Sequence, residues 1–435
     1  MHSSSRSQHG CTLQPNPADR PPIEAVIRQH AEDAVVLHNM RMAQVRAPHV
    51  RLHHLGRLDE RLAAHLDGLL VAGEFGSRLC GTALENPGAS ELFVATVLAL
   101  ENGDAARLEQ LLALAEALPE TQGGLGSAFG WVASGVLRGT VRGLLSSATP
   151  FHRWVGLTAC AMHRVDAGAD LERALEDPHP GLRARALRTL GVLGRRESFA
   201  ATRTALHDRS EPCRFWGAWS AVMLGNRSFA LDWLVEYARR PGPFRERSLQ
   251  LALRAVDLPR AHQLIRDLAR AGGETRTLIR AVGIMGDPHH VPWLIERMAD
   301  PGLARLAGES FSLITGIDLA YLDLEQPPPA AAEPGPGDDT GDDEATMDPD
   351  DGLPWPDPAG IGTWWAANAR RFQAGVRHFM GEPANPERCT RTLGEGYQRQ
   401  RLAAGLYLCL LRPGKPLFNT AAPAPRQQRR LTGSD

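Results

Sequence analysis

The sequence predicts an all-α fold: an α-solenoid of helical hairpin repeats, followed by a small, mainly helical C-terminal module. Three observations carry this. Glu176–Gly194, EDPHPGLRARALRTLGVLG, recurs 31 residues on as His207–Gly225, HDRSEPCRFWGAWSAVMLG, with Asp177 on Asp208, Arg183 on Arg214, Leu193 on Leu224 and Gly194 on Gly225. The same frame returns with an Arg eleven residues before a Gly at Arg305–Gly316, and a weaker copy starts at Arg153. A period near thirty residues marks stacked supersecondary units. Ahead of residue 325 apolar residues recur at helical spacing, and almost nothing alternates as a strand does. Finally, the helices are short, about ten to twelve residues, and marginal alone in water, so stacking must hold them.

In chain order, residues 1–20 are polar and Pro-containing and are expected to be disordered. An N-terminal helical region spans 21–122. Helix starts near Pro22, which suits a first turn, and Ala47-Pro48 closes it. Leu55, Leu58, Leu62, Leu66 and Leu69 then fall on one helical face. Glu91–Leu100 and Ala105–Leu118 read as an antiparallel pair, with Asp104 as an N-cap.

The repeat array is assigned to 123–325, with second helices at Ser198–Leu206, Phe229–Arg239, Arg260–Arg270 and Val291–Ala299. Gly156, Ala186, Gly217 and Gly308 share one phase. Glycine costs a helix roughly 1 kcal/mol against alanine, so small residues recurring there imply close helix approach. Asp177 and Asp208 each precede their unit's Arg, Arg183 and Arg214, by six residues. An Asp at the turn and an Arg in the next helix form a structural ladder between repeats, to which Arg305 belongs by its frame.

Residues 326–352, QPPPAAAEPGPGDDTGDDEATMDPDDG, are expected to form an exposed acidic linker. Helical or α+β order resumes at Leu353-Pro354-Trp355-Pro356 and runs to 420, with a short strand at Gly375–Met380 and one long helix at Pro386–Leu411. The basic tail 421–435 is expected to fray.

The run Asp-Pro-x-x-x-x-Arg-x-x-x-Leu-x-x-x-Gly-x-x-Gly at Asp177–Gly194 resembles the short HEAT-like repeats of phycobilin lyases. Over most of its length the chain is also similar to a proteobacterial family of HEAT-like proteins. That likeness rests on Gln29–Asp33, Cys213–Trp216, Phe311–Leu319, Leu353–Pro358 and Glu395–Arg401. Members of that family tend to be encoded beside type VI secretion components, so the resemblance implies a secretion-linked role.

A net charge of −2 gives no global field toward nucleic acid or an anionic membrane. Six scattered cysteines without a CxxC pair point to reduced thiols and a cytoplasmic setting. The N-terminus lacks the apolar run of a secretory leader, and no window approaches the roughly 20 apolar residues of a membrane span.

No catalytic set, cofactor motif or metal motif emerges. His53-His54 and His289-His290 sit in no HExxH, and no GxSxG or phosphate loop occurs. Cys160 and Cys213 read as small buried hydrophobes. His30 and Asp33 share a helix face, which reads as an amphipathic surface. Glu309, in an otherwise apolar frame, is expected to pair with Arg305, and Asp318 to cap a turn.

Candidate partner-binding residues are the aromatics Trp216, Trp219, Trp233 and Tyr237, and the acids Asp338, Asp339, Asp342 and Asp343. The leading expectation is a non-enzymatic protein-binding scaffold or adaptor: an accessory, chaperone or immunity-type protein for type VI secretion effectors, with no cofactor. The alternatives are a HEAT-like nucleic-acid-binding protein and a lyase-type enzyme.

Overall fold

The computed structural model describes residues 22–329 and 348–433. Within them 22 α-helices supply nearly all regular structure, and the only sheet is the two-residue pair His378–Phe379 and Glu382–Pro383. This is the all-α solenoid that the repeat period predicts. Six helical hairpins, from Gln122–Trp131 with Ser134–Ser146 to Thr275–Met285 with Val291–Arg297, are followed by a closing helix at Ala304–Thr315. Residues 338–343, expected to form an acidic contact surface, lie outside the described residues.

The N-terminal region forms no separate unit. Its central helix, Ala89–Glu101, is buried continuously from Leu92 to Leu100, as an all-round apolar helix must be. One core runs from Ile27 to Ala159 without a break at residue 122. Inside it His38 is fully buried, stacked on Phe93 at 3.8 Å and hydrogen-bonded to the hydroxyls of Ser90 (2.8 Å) and Ser127 (3.0 Å).

Burial and the nearby Arg41 hold the His38 imidazole down to about 3. The unfolded chain takes up this proton from pH 6.5 downward, while the folded chain refuses it until near pH 3. The stability is therefore present above pH 6.5 and lost as pH falls through that window. Urea titrations at pH 7 and pH 5 are expected to show about 2 kcal/mol more loss in the wild type than in His38→Gln. Equal losses in the two proteins would remove His38 from the acid response.

In the array, the expected small-residue column is a packing seam. A Cβ on Gly217 would lie 2.7 Å from Ala205 Cβ, and one on Gly156 would lie 2.9 Å from the Leu145 side chain. An Asp–Arg ladder runs along the turns. Arg153 reaches Asp177 at 2.6 Å, and Arg183 grips both oxygens of Asp208 at 3.0 Å while donating to the Asp177 and Pro178 carbonyls. Arg214 donates to the Asp208 and Arg209 carbonyls. In the last units the ladder turns to residues 348–350: Arg305 pairs with Asp348 and Arg276 with Asp350. That end of the linker is docked, with Asp350 3% exposed, and does not form the free spacer expected of it.

Two C-terminal expectations are corrected. The long helix at 386–411 is two helices, Pro386–Glu395 and Gln398–Leu411, broken at Gly396-Tyr397. The Gly396 N–H still bonds to the Thr392 carbonyl, but its backbone is extended, and the Gln400 side chain accepts the Tyr397 N–H at 3.0 Å where the second helix starts. The tail does not fray: Ala424–Thr432 is a helix, anchored by Gln427, which is 1% exposed. The module docks on the array. It lies along the row of first-helix C-termini, where orphan carbonyls carry the negative end of each helix dipole.

Arg377 donates to four of those carbonyls, Leu253, Arg254, Val256 and Met285, at 2.8–3.0 Å. Arg426 takes Gly130, Trp131 and Val132, and Arg430 takes His163. Backbone N–H groups of His378, Met380 and Leu417 bond to Gly286, Leu313 and Val192. The approach is so close that a Cβ on Gly194 or Gly286 would lie 2.3 Å from a carbonyl oxygen of the module, and both residues have φ above +70°. This is why the repeat ends in glycine.

Candidate partner-binding face

Of the aromatic candidates, Trp219 (6% exposed) and Tyr237 (5%) belong to the core around Phe215 and offer no surface. Trp233 is half-buried on the second-helix side. Trp216 is half-buried on its first helix and sits among arginines.

The sequence reading missed these arginines. Arg185, Trp216 and Arg247 stand 31 residues apart, at one phase of three successive units. That alternation was the available signal. Arg185 lies over the Trp154 ring at 4.5 Å, and Arg188 and Arg247 lie over Trp216 at 4.7 and 5.9 Å. Arg46, just beyond the Glu24–Gln44 helix, repels both Arg188 and Arg247. Burial and Arg188 push the Arg185 guanidinium down to about 9, and burial with Arg247 and Arg46 pushes Arg188 down to about 10. At those values Arg185 and Arg188 remain cations at neutral pH.

No carboxylate answers them among the described residues. Several arginines on the second-helix side are matched by contrast: Arg239 with Asp267 (2.8 Å), Arg240 with Glu236 (3.3 Å) and Arg260 with Asp232. The helix Gln398–Leu411 borders the patch. Its Arg399 bonds to the Arg46 carbonyl, and Leu402, three positions on, is 42% exposed.

The other candidates have structural assignments. Glu309 pairs with Arg399 at 2.9 Å and not with Arg305, whose guanidinium lies over Trp355 at 4.7 Å. Asp318 receives the Tyr321 N–H as a turn cap and also holds Arg51 and the Tyr397 hydroxyl. His30 meets His65, and Asp33 lies 3.7 Å from His65. Burial pushes the Cys160 thiol up to about 11 and raises that of Cys213, so neither is a nucleophile at neutral pH.

A cleft of about 590 Å³ lies beside His262, His289 and His290. There Asp287 accepts from His262 at 2.9 Å and from the N–H groups of His289 and Gly375, so its oxygens are committed to holding the 374–375 turn. His290, held down to about 4 by burial and its histidine neighbours, stays neutral. Among the described residues no cluster of His, Cys, Asp or Glu is arranged to hold a metal ion, and no helix is long and apolar enough to cross a membrane.

Comparison with known proteins agrees with the architecture. No curated protein and no solved structure matches the chain. The family model of HEAT repeats matches residues 169–254, the stretch that carries the Arg185–Trp216–Arg247 row, in agreement with a solenoid of HEAT-like helical hairpins.

Proposed function

We propose that the chain is a non-enzymatic protein-binding scaffold that grips its partner on the first-helix face around Trp216. One observation carries this: four guanidiniums and a half-buried Trp share a face with no carboxylate partner among the described residues, while outer arginines such as Arg239 and Arg260 are ion-paired. Trp and Arg are the residue types most enriched at interface hot spots. The array and its C-terminal girder supply a fixed frame for them, and preorganisation lowers the cost of binding.

The resemblance to proteins encoded beside type VI secretion components makes an effector, its spike carrier or a neutralised toxin the first partner to try, with the cytoplasm as the place of encounter. Asp338, Asp339, Asp342 and Asp343 are a second contact surface in this reading. Nucleic-acid binding fits less well, because the pairing of outer arginines such as Arg239 and Arg260 interrupts the cationic track that phosphate neutralisation needs.

The test is affinity capture from native cells by the full chain and by Trp216→Ala. Loss of one identified partner by about ten-fold or more, the scale of a hot-spot residue, with an unchanged melting temperature, is the expected result. Equal recovery by both proteins removes this face as the grip.

A further inference from the structure

We propose that the patch formed by Arg46, Arg185, Arg188 and Arg247 is a binding site for an acidic, leucine-bearing peptide segment of the partner. This rests on the scaffold reading and names the chemistry of what is gripped. The guanidiniums come from the two first helices on either side of the Trp216 helix and from Arg46 in the N-terminal region, so a bound chain would be held from more than one side. A planar guanidinium suits a carboxylate in two-point fashion, and Trp154 and Trp216 fix two of the arginines in place through their ring faces.

The cations repel one another, and burial adds to the cost of holding Arg185 and Arg188 charged. Like charges held together with no counter-charge among the described residues repel one another, and a bound anion relieves that repulsion. Leu402, 42% exposed beside Arg399, adds an apolar contact at the border of the patch. That pairing of cation and hydrocarbon fits a peptide better than a phosphodiester, whose recognition calls for a longer run of cations or an open stacking platform. The rings of Trp154 and Trp216 already carry a guanidinium at 4.5 and 4.7 Å, which takes the ring face that a base would stack on.

The test uses the full chain and a fluorescein-labelled peptide of alternating Glu and Leu, with an oligothymidylate of matched charge as competitor. Peptide binding that weakens with salt, and falls at least ten-fold in Arg188→Glu/Arg247→Glu, is expected. The titration is repeated in the chain carrying Asn at positions 338, 339, 342 and 343, so that competition by those acids cannot hide binding. A separate measurement isolates the site from packing: Arg188→Gln is expected to raise the melting temperature while it weakens the peptide.

Absence of peptide binding in both chains, stronger binding of the oligothymidylate, or a fall in melting temperature in Arg188→Gln each overturns the proposal. If the charge-reversed chain still captures its cellular partner in full while the Trp216→Ala chain does not, the scaffold reading stands and the acidic-segment assignment alone is lost.

Discussion

Leu190→Asp is expected to abolish the cooperative folding transition of the array. Leu190 is fully buried beside Leu182, Ala186 and Leu171, in the core that joins the Pro180–Leu193 helix to its neighbours. Truncation alone, Leu190→Ala, is expected to cost about 3 kcal/mol, because the surrounding helices collapse only partly into the vacated space. The aspartate adds a carboxylate with no donor in reach, at a cost of several kcal/mol more. The sum is of the order of the whole stability of an ordinary domain.

The added carboxyl would be driven toward its neutral form, so its folded pKa lies above the unfolded one. Its penalty is therefore smallest below the ordinary carboxylate range and grows as pH rises toward neutrality. Urea unfolding followed by circular dichroism, at pH 7 and near pH 5 and with Leu190→Asn as the uncharged reference, separates the two contributions. A Leu190→Asp protein that melts within a degree or two of the wild type would show that the seam does not bear the stability assigned to it.

The repeat frame was legible because each unit spends the same residue types on the same tasks. Asp177 and Asp208 turn the chain, Arg183 and Arg214 tie the turns, and Gly194 and Gly225 end the helix. The docking of the C-terminal module was not legible. Arg377, Arg426 and Arg430 recognise main-chain carbonyls, which every residue carries, so nothing in the partner segment marks it. Glu309 was assigned to Arg305, one turn back, because local spacing is all that a sequence displays, whereas the actual partner, Arg399, is 90 residues away.

The proposed binding face is legible in part. The aromatic cluster points to Trp216, but density alone does not separate it from Trp219 and Tyr237, which face inward. The decisive signal lay in charge at fixed phase, Arg185 and Arg247 flanking Trp216 at 31-residue steps. Balanced net charge concealed it, because pairing elsewhere cancels the sum without cancelling the patch.

Asp59→Asn is expected to release the C-terminal girder from the N-terminal region. Asp59 and Arg41 form an ion pair at 2.6 Å, with side chains 4% and 5% exposed. The second Asp59 oxygen accepts the Ala424 N–H at 2.7 Å, and Arg41 donates to the Ala421 carbonyl. The pair thus fastens the start of the last helix to two N-terminal helices. Removing one charge leaves Arg41 buried and unanswered, a change that typically costs about 3–5 kcal/mol. Replacing both members, Arg41→Met with Asp59→Leu, removes the orphaned charge and is expected to recover most of that loss, giving a coupling of about 2 kcal/mol or more in the double-mutant cycle.

Recovery of stability need not restore the anchor, since the Ala424 N–H and Ala421 carbonyl lose their partners in the double variant. Limited trypsin digestion reads this directly, because Arg426, Arg429 and Arg430 all lie on the last helix. Rapid cleavage there in both variants, with urea stability lost only in Asp59→Asn, would assign the pair two separable tasks. Trypsin resistance equal to that of the wild type in Asp59→Asn would mean that Arg426 and Arg430, through the carbonyls of Gly130 and His163, hold the girder without help from the ion pair.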